Sequence, residues 1–515
     1  MAGMGIDYLS RLNDELVLHI LAFLPFKDAV RTSILSTRWK YLYAATSDLN
    51  LEFRRRRRKK ADQFDYMNFV ERLFFSRKSS VEKFRLHWLL SQPPDPLRLQ
   101  GWISAVTWHG IRELDLFVSV NQCKDLLLPT CLFNCKTLVV LKLRKTGSHD
   151  LEMDHVYDDE QYKSDEYSES EEDYDSTYEN YYSSESNEHS ESSEHSESNR
   201  HYYSDEDSEE LGVTIMRSRK IKQFESVDTG LKLPAKFCLP SLKVLHVKNI
   251  TFPDDDSWNR LLSSCPILED LHYGFGGDSC KLSISNTTVK RLAVQYLGTT
   301  LNNSSLDIVI NAPNLVYLDY SVNDLNSHAF ANVQSLAEAD IFFGEEHGDR
   351  SRHIDAVTDL MRGISNIKTL TICGTTLADL RKHKIPIPFF HNLTHLTVWS
   401  PGLFLVQLPR FLARCRSLDT LVLKYLDCRK WNPALWHKLE ESGVNCLSSF
   451  LKTIKIFEFG GTECQMEIVK CFLKCARVLE SLEIHFTAKN ERKLEITKEL
   501  QMLPRASKEC SVVIC

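Results

Sequence analysis

The chain has 515 residues, of which 43% are hydrophobic and 26% charged, with a formal net charge of −7. Such a length exceeds what one ordinary core accommodates, so several domains or a repeat array is expected, with the composition of a water-soluble globular protein. No apolar run reaches the roughly 18 residues of a spanning helix, no apolar signal core stands near Met1, Ala2 is not glycine, and no cysteine stands fourth from the end; the expectation is an intracellular protein without membrane contact.

Residues 7–51 read as a compact helical unit. Asn13 and Asp14 are good helix starters, and Glu15 adds negative charge to the first turn. Leu12, Leu16, Ile20, Leu21 and Leu24 recur at helical spacing until Pro25 stops the helix. A second stripe runs through Ala29, Val30, Ser33 and Ile34, and Ser36 is placed to cap a short third helix carrying Trp39 and Leu42. So few residues make a small core, so exposed apolar surface and a partner helix are expected. Residues 52–80 form a basic linker and lead-in. Its unbroken run from Arg54 to Lys60 reads either as a nuclear-import signal or as a solvated linker.

From residue 81 the chain is repetitive. An L-x-x-L-x-L pattern, with other apolar residues substituting, starts at Val81, Ile111, Leu138, Leu242, Leu268, Val289, Leu315, Leu336, Ile367, Leu393, Leu418, Leu451 and Leu479. That is leucine-rich-repeat spacing. Each copy supplies one short parallel strand whose apolar side is buried only by stacking, so the expected fold is α/β: a small helical domain followed by a curved leucine-rich-repeat solenoid with a parallel sheet on its concave face. The repeats divide into 81–147 and 227–440, with C-terminal repeats over 441–515.

Between them, residues 148–226 are built from Ser, Glu, Asp, Tyr and His with almost no aliphatic residues, a composition expected to stay disordered. From Asp154 to Glu210 there are 22 acidic and 2 basic residues, which leaves 61 basic against 48 acidic elsewhere. Ser164, Ser170, Ser204 and Ser208 precede acidic residues, so phosphates there would deepen the charge. The tract is expected to bind the basic body or a basic partner, or to be an inert solvated insertion.

Two stretches resemble a known family. The segments Asp7–Leu16, His19–Ser33 and Leu35–Leu42, with Leu24-Pro-Phe-Lys-Asp-Ala-Val and Leu35-Ser-Thr-Arg-Trp at their centre, resemble a plant F-box. Asn13 stands where that family usually has proline, and Tyr43 where it often has tryptophan. Cys446–Ile456, Glu467–Ala476 and Leu503-Pro-Arg-Ala-Ser resemble the FBD region of plant F-box proteins, and Leu261–Leu271 matches the same repeat style. The resemblance implies docking on a Skp-type adaptor, and through it on a cullin scaffold. It gives docking or core roles to Leu12, Asn13, Ile20, Leu21, Leu24, Pro25, Val30, Leu35 and Trp39. It further implies a substrate receptor of a ubiquitin ligase, in the nucleus or cytoplasm, that promotes ubiquitination and proteasomal degradation of a protein target. The alternative is a repeat scaffold outside any ligase.

In each repeat the pattern residues point into the core, so the residues between them alternate onto the concave face. Candidate target contacts there are Lys142, Arg144 and Lys248 early, Asp270, Asp319, Glu338 and Asp340 midway, and the aromatics Phe117, Tyr317, Phe342, Trp399 and Phe457. No catalytic motif, cofactor or metal is expected, and nucleic acid is not an expected partner. No phosphate-binding loop, zinc-protease helix or nucleophile elbow occurs. The C-x-x-x-C spacings at Cys131/Cys135 and Cys471/Cys475 lack partner pairs, and His391 and His395 open a strand. Reduced thiols used as small core residues are expected.

Overall fold

The structure is a computed structural model and describes residues 11–24, 26–54, 63–75, 77, 79–89, 94–119, 126–146, 231–250, 252, 254–275, 279–296, 305–322, 327–343, 350–399, 408–425, 445–487 and 492–515. Pro25, Arg55–Lys60 and the acidic tract therefore lie outside the described residues.

Fifteen strands form one sheet in nearly unbroken chain order, every neighbouring pair parallel. The thirteen sequence copies each supply one strand, from Lys83–Leu89 to Ser481–Phe486. Register explains why they stack. Leu86 pairs with Leu116, then Leu143, Val247, Tyr273, Val294, Tyr320 and Ile341. The same rib continues through Ile372, Val398, Leu423, Ile456 and Ile484. A second rib, two residues earlier, runs from Phe84 through Leu114 and Leu141 to Leu482. Both ribs are buried almost throughout, so each strand covers the apolar side of the next.

The sheet is longer than the pattern indicates. Asp48–Arg54 pairs with Lys83–Leu89, and Leu49, Leu51 and Phe53 are buried in the main core. The helix Gln63–Phe75 packs Met67, Val70 and Leu73 onto that core. The helical unit thus ends before residue 48, and the lead-in is itself a repeat rather than a linker ahead of a boundary at 81. Its strand escapes the pattern because no apolar residue stands three positions before Leu49, where Thr46 sits. At the other end Ser511–Ile514 adds a fifteenth strand.

The other side of the core is covered by helices, among them Pro96–Trp108, Asp255–Ser263, Arg350–Gly363, Gly374–Lys382 and Glu463–Cys475. Three parallel strands, Ser279–Ser285, Ser305–Asn311 and Ser327–Ala331, take the helices' place in the middle repeats. Leu282, Ile284, Ile308 and Ile310 join the same core. The N-terminal helices have a core of their own, Val17, Leu21, Ala29 and Trp39. Cys135, Cys265, Cys415 and Cys446 are free and buried, as expected for small core residues. Burial pushes the thiols of Cys265 and Cys446 up to about 12, which makes them inert. Cys464 departs from that expectation and is disulfide-bonded, half-buried against the repeat core at the start of the Glu463–Cys475 helix. Among the described residues no helix is long and apolar enough to cross a membrane.

Gly461 sets the entry to the Glu463–Cys475 helix, with φ at 71°. A Cβ there would stand 2.2 Å from Cδ1 of Ile496. Thr462 beside it closes a capping box with Gln465. Gly461→Ala is expected to cost about 2–3 kcal/mol, through left-handed backbone strain plus overpacking, and Thr462→Ala about 1 kcal/mol. Urea unfolding midpoints of the two variants check both the order and the sizes.

Candidate functional site

Two surfaces carry the functional candidates. On the N-terminal unit, Asn13 caps the Asp14–Ala22 helix by accepting the Leu16 N–H at 2.9 Å. The Arg38 guanidinium donates to Asp14 at 2.6 and 2.8 Å and to the Leu12 carbonyl, tying the first helix to the third segment. That segment, Trp39–Ala45, is a 3₁₀ helix, and Ser36 Oγ accepts the Trp39 N–H at its start.

Of the nine residues assigned to this unit, Asn13 is the helix cap and Pro25 lies outside the described residues; the other seven separate into two groups. Leu21 and Trp39 are buried, with Leu12 packed against them and Val30 half-buried. Leu21 and Trp39 thus belong to the small core of this unit. Ile20, Leu24 and Leu35 are exposed, Leu35 by 60%. Leu16, Phe23 and Ile34 extend the exposed apolar set, with Phe23 at 78% and Ile34 at 87%. Phe23 is absent from the sequence reading. Its signal is the i,i+4 spacing from His19, whose ring lies 5.0 Å away edge to face.

The second surface is the sheet face turned away from the core. Zero-shift pairing of the strands places its side chains in straight rows. One row runs Arg85, Asp115, Lys142, His246, His272, Ala293, Asp319, Asp340. The next runs His87, Phe117, Arg144, Lys248, Gly274, Gln295, Ser321, Phe342. All twelve target-contact candidates lie on the strands of this sheet, and most of them gather in three neighbourhoods.

The first centres on Asp115, which Arg144 meets at 3.0 Å, Arg85 at 3.3 Å and His87 at 3.8 Å. Burial alone would raise its pKa, yet the neighbouring His87 imidazole and the Arg144 guanidinium together hold the carboxyl well below the usual carboxylate range. Arg144 also lies over Phe117 at 5.0 Å, and His87 stands 5.5 Å from the same ring. Phe117 is consequently only 7% exposed. Its expected role as a free aromatic contact is corrected, because the two neighbouring side chains cover it and leave Arg144 as the outer surface.

The middle neighbourhood is acidic. Tyr317 donates to Asp340 at 2.7 Å, Arg291 lies over the Tyr317 ring at 4.2 Å, and Asp319 accepts from Gln295 at 2.8 Å and Ser321 at 3.0 Å. Burial raises the Asp319 pKa, opposed by those two hydrogen bonds. Asp270 sits between this and the first neighbourhood, 3.5 Å from His246 and 4.0 Å from Arg291. The third neighbourhood is aromatic. Phe342 and Trp399 approach to 6.3 Å, Tyr425 flanks Trp399 at 5.6 Å, and Lys424 spans from Trp399 at 5.0 Å to Phe457 at 5.8 Å. Phe457 stacks on His485 at 4.2 Å. Tyr425 and His485 were not singled out in the sequence; His485 is the next outward residue of its strand, whereas Tyr425 follows the Thr420–Lys424 strand with a positive φ of 55° and is exposed where alternation alone would turn it inward.

Comparison with known proteins now bears on these surfaces. The F-box domain matches residues 9–42, and the At1g61320/AtMIF1 LRR domain matches residues 216–512. The chain belongs to the plant F-box/FBD/LRR-repeat family. It is 28% identical to the F-box/LRR-repeat protein At3g59210 of Arabidopsis thaliana, over 99% of this chain and 94% of the relative. It is 29% identical to F-box/LRR-repeat protein At3g59200 of the same plant, over 99% and 88%. With the F-box/FBD/LRR-repeat protein At1g78750 it shares 26% over 99% and 96%. An F-box joined to leucine-rich repeats is the architecture of a substrate-receptor-type role, and the F-box implies a Skp-type adaptor as its general partner. F-box/LRR proteins are generally non-catalytic adaptors.

One buried cluster of this F-box/LRR chain is of metal-binding type, His353, Asp379 and His383. The sequence reading passed over it. Its signal is the Asp379/His383 spacing of four on a helix, with the third ligand a full repeat away. The pair that reading did consider, His391 and His395, are both exposed, and His395 hydrogen-bonds Thr394 instead.

His272 stands 5.3 Å from His246. Burial first, then the charge of His246, lowers its pKa to about 4. A folded-state value below the unfolded one of about 6.5 means that the unfolded chain binds more protons between those values, so stability falls as pH drops from 6.5 toward 4. After discounting for partial solvent access, His272→Gln is expected to remove about 1 kcal/mol of the stability loss between pH 7 and pH 5. Parallel urea titrations at the two pH values measure it; equal losses in both chains would refute the assignment.

Proposed function

We propose that the protein is the substrate-recognition subunit of a Skp–cullin–F-box ubiquitin ligase. The observation that carries this reading is the exposed apolar set on the F-box, Leu16, Ile20, Phe23, Leu24, Ile34 and Leu35, around a separate small core. A surface of that kind on so small a unit calls for a partner helix. The adaptor covers it and links to the cullin. The outward sheet face, with its basic, acidic and aromatic neighbourhoods, takes the protein target, with Lys142, Arg144, Lys248, Asp270, Tyr317, Asp319, Phe342, Trp399 and Phe457 as contacts.

The work is positional. Holding a target beside a charged conjugating enzyme raises its effective concentration to about the millimolar range, so ubiquitin transfer becomes effectively intramolecular and ends in proteasomal degradation of the target. The bond-making chemistry belongs to other subunits, and no residue of this chain acts as a nucleophile. The complex works in the nucleus, the cytoplasm or both.

Because Leu21 is buried and Leu35 is exposed, two substitutions separate docking from folding. Leu35→Asp and Ile20→Asp are expected to abolish retention of the Skp-type adaptor in a pull-down while leaving the thermal midpoint within about a degree. Leu21→Asp also loses the adaptor, but by burying a carboxylate in the small core at a cost of several kcal/mol. A wild-type chain that retains no adaptor sinks the ligase reading and leaves a repeat scaffold that works outside any ligase.

A further inference from the structure

The two helices that flank the Thr369–Cys373 strand meet at an ionisable cluster deep in the repeat core. His353 lies on the Arg350–Gly363 helix. Asp379 lies on the Gly374–Lys382 helix, and His383 caps that helix four residues later. All three are buried, with side-chain exposures of 0%, 5% and 1%. Nε2 of His353 is 2.8 Å from one Asp379 oxygen, and Nε2 of His383 is 3.5 Å from the other. The imidazole rings lie 5.4 Å apart, and the Phe343 ring flanks His353 at 6.3 Å.

The chemistry of this set is specific. A carboxylate taken out of water calls for a cation or a full set of hydrogen bonds beside it. Nδ1 of His353 is buried without a hydrogen-bond partner among the described residues, so Nε2, aimed at Asp379, is the ring's polar anchor. Two imidazole nitrogens and one carboxylate oxygen are a donor set suited to zinc and its neighbours among the divalent transition metals. The three donor atoms lie within 4.8 Å of one another. Around a tetrahedral ion with bonds of about 2.0–2.2 Å, donors stand roughly 3.3–3.6 Å apart.

We infer that His353, Asp379 and His383 form a structural site for one divalent transition-metal ion of the zinc class, which pins the Arg350–Gly363 helix to the Gly374–Lys382 helix. Three protein donors leave the fourth position to a water molecule. With the site buried, the ion acts as a staple on the repeat and not as a reaction centre. The inference is independent of the ligase reading, since it concerns the core side of the sheet and not either docking surface.

The full chain, stripped with EDTA and dialysed, is titrated with Co2+ and then with Zn2+. One Co2+ per chain should bind with the visible absorption of a tetrahedral ion and without a thiolate-to-cobalt band, because no cysteine is among the donors. Zn2+ should displace it and raise Tm by a few degrees over the stripped protein. Asp379→Asn and His383→Gln, each checked for retained secondary structure by circular dichroism, should lose the cobalt absorption and the zinc-dependent rise. A wild-type chain with no cobalt absorption and no response to zinc overturns the inference and leaves a His353–Asp379 hydrogen bond with His383 beside it. A thiolate-to-cobalt band, or absorption unchanged in Asp379→Asn, places the metal elsewhere and overturns it equally. Where neither variant folds, the stoichiometry and band shape of the wild-type titration decide.

Discussion

A strand with leucines at alternate positions has one apolar side and two open ladder edges, and alone it can bury neither. Everything in this protein follows from the way neighbouring repeats cover that side. Because each strand pairs in parallel with the next at zero shift, the buried residues line up from Leu86 to Ile484 in one rib. The same register aligns the outward residues. Side chains that carry no packing duty therefore stand in rows across many repeats, and the pattern of the outward face is a consequence of the core.

That surface differs from end to end because its charges are satisfied differently. Near the N-terminal end Asp115 sits among Arg85, Arg144 and His87, so the carboxylate is neutralised and the cations define the exterior. Midway, Asp319 is held by the neutral donors Gln295 and Ser321, and Asp340 by the Tyr317 hydroxyl, so negative charge persists there. Farther on, Phe342, Trp399 and Phe457 present rings bridged by Lys424. A target that engages all three neighbourhoods must offer acidic, basic and apolar groups in that order. The F-box obeys the opposite economy: its core is four residues deep, and much of its apolar content stays outside for a partner to cover.

Much of this was legible in the residues themselves. Thirteen pattern copies became thirteen strands, Asn13 is a cap, and the alternation rule put all the outward candidates on the sheet. These features depend on local spacing, which a linear chain displays in full. The strand at Asp48–Arg54 was hidden because a half-repeat lacks the upstream leucine that marks the others, and only its neighbour at Lys83–Leu89 defines it.

What the sequence alone determined is the repeat, its direction, and which residue of each strand faces inward, since period two and helical spacing are properties of the backbone. The tertiary structure decided what spacing cannot express: which of two apolar residues one position apart is exposed. Leu21 is buried and Ile20 is not, because the Trp39 segment packs against one face of a single helix. It also decided that Phe117 is covered by a residue 27 positions away, and that His353 meets an aspartate 26 positions on. Such contacts arise where stacking brings successive repeats together, and no pattern within one repeat contains them.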